Sequence, residues 1–109
     1  MKIIRQSYEN TSIGTEWEHQ YVKVTIAFDD HELDARLKKR FRWVEVTQNQ
    51  YKGSRLDTYM KGAHSCWFGD NGNNKDPEKK FIWDKICAYM EENSDLFSIK
   101  WQTPKRPFN

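Results

Sequence analysis

Apolar and polar residues alternate in five parts of the chain, and this period predicts β-strands. The clearest case is residues 21–28, where Val22, Val24, Ile26 and Phe28 occupy every second position. Such alternation is typical of a strand with one buried face and one solvated face. The same criterion predicts further strands over residues 2–8, 42–51, 57–68 and 97–101.

A helix is predicted over residues 77–93. Asp76 is a suitable N-cap, Pro77 suits the first helical position, and the carboxylate of Glu78 complements the helix dipole. The preceding residues 69–74 are all Gly, Asp or Asn, which predicts a loop. At helical spacing, one apolar stripe would face the core, formed by Ile82, Trp83, Ile86, Cys87 and Met90.

Residues 30–40 fit two periods, because Leu33 and Leu37 could lie on one face of a strand or on one side of a helix. We prefer the helix, since Asp29 could serve as its N-cap. Glu32 follows three residues later, which resembles a capping box. A helix between two strands also explains the change of period.

The predicted order is therefore β-β-α-β-β-α-β. The expected fold class is α+β, a small two-layer sandwich in which two helices pack on a mostly antiparallel sheet. Without the first strand, this is the order of the ferredoxin-like split β-α-β fold. A length of 109 residues suits one domain over residues 1–103, with a flexible tail over residues 104–109. Only 37% of the residues are apolar, but 15% are aromatic, and large rings can build a core from few residues.

Positive charge is concentrated in the middle of the chain, although the net charge is only +2. Residues 36–62 contain eight Lys or Arg and two Asp or Glu, whereas residues 1–35 contain three and seven. Cations can neutralise phosphates, and interleaved aromatic rings can stack on unpaired bases. The candidate binding residues are these eight cations and two tryptophans, namely Arg36, Lys38, Lys39, Arg40, Arg42, Trp43, Lys52, Arg55, Lys61 and Trp67.

The basic run over residues 36–42 also has a purely structural interpretation. Its cations would lie at the C-terminal end of the predicted helix, where positive charge complements the helix dipole. Glu32–Arg36 and Asp34–Lys38 would form ion pairs four residues apart. The run alone leaves both interpretations open. The cations beyond it favour binding, because no helix end requires them.

His64 and Cys66 are the remaining candidates for chemistry. On a strand they would share one face, and with Cys87 and either His19 or His31 they could hold zinc. The two alone could also form a Cys–His catalytic pair. Neither has the close paired spacing of such motifs, so we expect no metal, no cofactor and no catalytic site. Residues 61–68 begin with Lys-Gly and end with Phe, as the RNP1 motif of RNA-binding domains does. They lack its two inner aromatic residues, so no membership of that family follows.

The sequence lacks the apolar run of a secretory signal and any apolar stretch long enough to span a bilayer, which predicts a cytoplasmic protein without membrane contact. The leading hypothesis is a non-catalytic binding module whose basic, tryptophan-containing surface contacts nucleic acid. The alternative is a small inhibitor or adaptor, of the kind that phages and mobile elements encode. It would block a larger protein through tryptophan-rich patches and the loop at residues 69–75. An enzyme, such as a nuclease around His64, ranks third.

Overall fold

The computed structural model describes residues 1–68 and 75–94 of the chain. Within them, five strands form one antiparallel sheet in sequential order. Helix α1 (Ala35–Phe41) connects the second strand to the third, and helix α2 (Pro77–Glu92) comes after the fifth. The prediction of an α+β fold with an antiparallel sheet and two helices is confirmed. The strands are β1 (Lys2–Thr11), β2 (His19–Ala27), β3 (Trp43–Tyr51), β4 (Asp57–Gly62) and β5 (Cys66–Trp67).

The alternation in β2 and β3 decides which face of the sheet is buried. Val24 lies opposite Val46, and Ile26 lies opposite Val44. All four side chains are at most 1% exposed. Because opposite residues of an antiparallel ladder project from the same face, these residues define the core face. Each buried aliphatic side chain of this kind contributes about 1.5–3 kcal/mol. The residues between them define the opposite, outer face.

Helix α2 covers the core face, as its apolar stripe predicts. The side chain of Asp76 accepts a hydrogen bond from the N–H of Glu78 at 2.9 Å, and Pro77 takes the first helical position. The helix ends at Glu92 with Asn93 as C-cap, close to the predicted end. Four of its side chains are buried and join the strand residues in one core cluster, namely Ile82, Trp83, Ile86 and Met90.

Helix α1 begins later than predicted, and Asp29 is not its N-cap. Glu32 does accept a hydrogen bond from the N–H of Asp29 at 2.7 Å, but this contact closes a turn rather than a helix. Leu33 then anchors the chain in the core at 5% exposure. Asp34 is the actual N-cap, because its carboxylate accepts from the N–H of Leu37 at 2.9 Å, ahead of a run of strong helix formers.

The strand predicted over residues 57–68 is wrong in its second half. β4 ends at Gly62, a 3-10 turn over Ala63–Ser65 reverses the chain, and β5 returns beside β4. The reversal is made by this turn, in which His64 takes a left-handed φ of 57°. It directly follows Gly62, where a Cβ atom would lie 2.7 Å from the backbone oxygen of Arg40. The sheet therefore passes so close to the end of α1 that only glycine fits.

The ferredoxin-like arrangement is not confirmed. In that fold a further strand lies between the two strands that flank the first helix, which is why it is called split. Here β2 and β3 are direct antiparallel neighbours, with Ala27 opposite Trp43. Helix α1 therefore bridges adjacent strands. The predicted strand over residues 97–101, the loop over 69–74 and the tail over 104–109 lie outside the described residues.

Candidate functional site

The ten predicted binding residues divide between two ends of the sheet. At the first, which we call the α1 end, β2 leads into α1. At the second, which we call the hairpin end, turns over residues 12–18 and 52–56 close the β1–β2 and β3–β4 hairpins. Because β3 has nine residues, the two ends are about 26 Å apart. Lys52 and Arg55 belong to the hairpin end, so the basic middle of the sequence is not one surface.

At the α1 end, two cations of the basic run are bound within the fold. Arg40 bridges to Glu78 and, through Nη2, to Asp76 Oδ2 at 3.0 Å. Its Nη2 also donates to Cys66 Sγ at 3.6 Å, and Arg36 Nε lies 2.9 Å from Glu78 Oε2. These contacts fasten α1 to the start of α2.

The contact between Arg40 and Asp76 shifts the pKa values of both residues. Burial lowers the pKa of Arg40, but its hydrogen bonds, the strongest to Asp76, outweigh that effect and raise it. The Arg40 guanidinium in turn holds the pKa of Asp76 below its ordinary value. Arg40 is therefore a permanently charged structural residue, and its side chain is only 31% exposed.

The two ion pairs predicted within α1 are not the ones that form. Glu32 contacts the terminal ammonium of Met1 at 2.9 Å instead of Arg36. Asp34 uses its carboxylate for the N-cap. Lys38 lies 3.8 Å from Asp30, whose side chain is fully exposed, so water screens this pair. Glu32 and Asp34 therefore have other partners, and neither pairs with a cation of α1.

Two cations of the run have no such partner. Within the described part of the chain, neither Lys39 nor Arg42 makes an ion pair or a side-chain hydrogen bond. Both line a cleft of about 800 Å³ between α1, the end of β2 and the 3-10 turn. The cleft has an apolar wall that includes Phe28 and Leu33, and its rim also holds His64. It combines free positive charge with apolar surface.

The outer face of the sheet presents aromatic rings from three neighbouring strands. Glu45 lies opposite Lys61, and Lys61 lies opposite Trp67. Residues two apart on a strand share a face, so Trp43 and Tyr59 project from this face as well. Trp67 is 57% exposed and Tyr59 is 39% exposed. Lys61 Nζ lies 5.3 Å from the centroid of the Trp67 ring and 3.9 Å from Glu45 Oε1.

An exposed lysine completes this surface. Lys23 lies opposite Thr47, and Thr47 lies opposite Tyr59, so all three share the outer face. Sequence reasoning missed Lys23 and Tyr59, although both occupy the polar phase of predicted strands, which is the signal that could have found them. We call the resulting set the outer platform, and it consists of Lys23, Trp43, Tyr59, Lys61 and Trp67.

The hairpin end has a different character. Ile13 is 70% exposed, Trp17 is 66% exposed and Tyr51 is 45% exposed. The turn that carries the first two is fixed to the neighbouring hairpin, because the N–H of Lys52 donates to the carbonyl of Glu18 at 3.0 Å. Sequence reasoning did not single out Trp17, since nothing in the local pattern separates an exposed tryptophan from a buried one.

His64 and Cys66 do not share a strand face, so the geometry assumed for a joint chemical role is wrong. His64 sits in the 3-10 turn with a φ of 57°, in the left-handed region. Cys66 accepts the hydrogen bond from Arg40, and both it and Cys87 are free thiols. Burial raises the pKa of the Cys87 thiol, which disfavours the reactive thiolate. Within residues 1–68 and 75–94, no group of three His, Cys, Asp or Glu side chains is arranged to hold a metal ion.

Neither helix of the described segments is long and apolar enough to cross a membrane. Comparison with known proteins finds no matching family model, no similar curated protein and no similar solved structure. The described residues thus define a small α+β domain with a five-stranded antiparallel meander, and its function has to be argued from its own surfaces.

Proposed function

We propose that this protein is a non-catalytic binding module that holds a single strand of nucleic acid on its outer platform. The observation that carries the proposal is the exposed ring of Trp67 with the Lys61 ammonium 5.3 Å from its centroid. The ammonium lies over the ring as a cation–π contact, so a base that stacks on this face displaces the lysine toward the adjoining phosphate. Base–aromatic stacking contributes about 1–3 kcal/mol per base, and phosphate contacts add affinity that depends on salt.

The placement of the rings supports a single strand rather than a duplex. Trp43, Tyr59 and Trp67 come from three successive strands, which lie about 4.8 Å apart in an antiparallel sheet. The rings also differ in level along the strands, since Tyr59 lies opposite Thr47 and Trp67 is level with Glu45. They are therefore about 8–14 Å apart, and one unpaired base of an extended strand can stack on each. The paired bases of a duplex have their faces covered by their neighbours and cannot.

The cations of the platform also fit this role. Lys23 is exposed and has no ion pair among the described residues, so its ammonium is available to a phosphate. Lys61 Nζ lies 3.9 Å from Glu45 Oε1. An ion pair at this distance is weak, so a phosphate can compete for the lysine. The platform is therefore adapted to the backbone as well as to the bases.

Fluorescence anisotropy with labelled single-stranded DNA and RNA of about eight nucleotides tests the proposal, since this length lies within the usual site size. Trp67→Ala is expected to weaken binding by about 1–3 kcal/mol at every salt concentration, because stacking releases no counterion. Lys23→Ala should instead lower the slope of log affinity against log salt by about 0.7 units, the contribution of one phosphate contact on a single strand. Trp17→Ala is the matched control, since it removes an equally exposed tryptophan at the hairpin end. Absence of binding by the wild type, or an equal loss in Trp17→Ala, would contradict the proposal.

A second candidate function is a small protein inhibitor or adaptor, and the hairpin end favours it. Ile13, Trp17 and Tyr51 are exposed together there, beside Lys52 and Arg55. Tryptophan, tyrosine and arginine are the residues enriched at the energetic centres of protein interfaces. Affinity purification with nuclease treatment separates the two candidates. A stoichiometric protein that is retained by the wild type and lost with Trp17→Ala would support this function, and a partner retained equally by both would contradict it.

A further inference from the structure

The cleft at the α1 end is not used by the proposed stacking, yet it has the composition of a ligand site. Its volume of about 800 Å³ lies within the usual range for small-molecule and cofactor pockets. Ala27 and Ala63 on its wall leave room beside the larger Phe28 and Leu33. It adjoins the outer platform, because Ala27 on its lining lies opposite Trp43 in the sheet.

The charges around the cleft leave an excess of free cations. Among the described residues, four cations line it against two carboxylates. Asp29 pairs with the Met1 ammonium at 2.6 Å. Arg40 pairs with Asp76 and Glu78 at the start of α2. Lys39 and Arg42 remain without an ion pair among the described residues. A ligand that enters this cleft meets at least two uncompensated positive charges.

His64 adds a third group on the same rim. It holds a left-handed backbone conformation, which is uncommon for a residue other than glycine. Such strain concentrates at sites where a side chain has to be aimed. An imidazole N–H can donate to an anionic oxygen alongside the lysine and the guanidinium. Together the three groups supply donors from α1, its C-cap and the 3-10 turn.

We infer that the cleft binds a phosphomonoester, the terminal phosphate of the strand whose bases stack on the outer platform. A terminal phosphate carries more charge than an internal phosphodiester, so the two cations favour a strand end over a point within the strand. The apolar wall accommodates the attached sugar or base. The assignment of this phosphate to the end of a bound strand rests on the proposed function. A free mononucleotide offers the same chemistry, and the experiment distinguishes the two.

The experiment compares three labelled strands of one sequence that differ only at their ends, with free hydroxyls, a 5′-phosphate or a 3′-phosphate. One phosphorylated strand is expected to bind about tenfold or more tightly than the hydroxyl strand, as charge-assisted hydrogen bonds to two cations imply. Lys39→Ala combined with Arg42→Ala should remove this preference and leave the affinity for the hydroxyl strand within about twofold. The matched control is Lys52→Ala with Arg55→Ala, which removes the same charges at the hairpin end and should retain the preference.

Titration calorimetry with adenosine monophosphate provides the second arm. If all three strands bind equally and adenosine monophosphate does not bind, the cleft proposal is overturned while the proposed function stands. If no strand binds but adenosine monophosphate binds, and the Lys39/Arg42 double variant abolishes it, the cleft holds a free mononucleotide and the proposed function fails. If neither binds, both are overturned. A preference that survives in the Lys39/Arg42 variant would also overturn the cleft as its source.

Discussion

The two ends of the sheet differ in whether their aromatic side chains are buried or exposed. At the α1 end, Arg36 and Arg40 are paired with acids at the start of α2, and Phe41 is fully buried against Phe68 at a ring distance of 5.3 Å. At the hairpin end, Ile13 and Trp17 stand in solvent on a turn held by backbone hydrogen bonds. The first end is part of the core and contributes to stability. The exposed side chains of the second contribute little to it.

The difference shows why cationic residues cannot be read as a surface from their number alone. Arg40 and Lys39 are neighbours in sequence, but the first connects two helices and the second faces a cleft. Lys52 belongs to the same basic segment and lies about 26 Å away. A binding role is therefore supported for individual side chains, each judged by its partners.

The largest expected effect contrasts an aromatic residue from each end. Phe41→Ala should destabilise the fold by about 3–5 kcal/mol, because it leaves a cavity in a fully packed region. Trp17→Ala removes a larger ring that is 66% exposed, and it should stay within about 0.5 kcal/mol of the wild type. Denaturant melts followed by circular dichroism measure both. Losses of similar size would mean that the hairpin end belongs to the core.

The glycines of the two ends should respond to different replacements. Gly62→Ala brings a Cβ within 2.7 Å of the Arg40 backbone oxygen, so a loss of about 1–3 kcal/mol is expected from overpacking. Gly53 has open space around it but a φ of 79°, which asparagine tolerates better than alanine. Gly53→Asn should therefore be milder than Gly53→Ala in the same melts. Gly62→Asn should be at least as damaging as Gly62→Ala, and the reverse result would refute a steric cause at Gly62.

The ion pairs of the α1 end should appear in the acid stability of the protein. The folded-state pKa of Asp76 is lowered by Arg40, so its contribution is present above the unfolded pKa of about 3.9 and is lost as the pH falls through the folded value. Arg40→Met should cost on the order of 1 kcal/mol at neutral pH and make the decline below about pH 5 shallower. Arg42→Met is the control, since it has no such partner among the described residues. An unchanged acid profile in Arg40→Met would contradict the assignment.

Helix α2 and strands β2 and β3 were predictable because their signals are local. The cap at Asp76, the stripe from Ile82 to Met90 and the alternation after Tyr21 each lie within one element. The α1 end was not predictable in the same way. The close approach of Gly62 to Arg40 joins residues 22 positions apart, and the Arg40–Glu78 pair joins residues 38 apart.

The candidate site was predictable only in part, for a related reason. Trp43, Lys61 and Trp67 were found through composition and charge, but their common face depends on strand register. Lys23 and Tyr59 share this face because both lie opposite Thr47 in the sheet. Counting charge along the chain also grouped Lys52 and Arg55 with α1. The count ignores strand β3, which carries the chain about 26 Å from α1 before the turn that holds these two residues.

The smallest expected effect is the sharpest test of the division between the two ends. Charge reversal in Lys52→Glu/Arg55→Glu should leave the affinity for a strand of about four nucleotides within about twofold at physiological salt, since the two ends are separated by more than the Debye length of about 8 Å. Lys39→Glu/Arg42→Glu makes the same change of charge at the α1 end. It should lower the slope of log affinity against log salt for a longer, end-phosphorylated strand by about 1.4 units, because two phosphate contacts of about 0.7 units each are lost. Anisotropy titrations at two salt concentrations measure both. Equal losses of affinity and slope in the two variants would show that the basic middle acts as one electrostatic surface after all, and the separation of the ends would then explain stability but not binding.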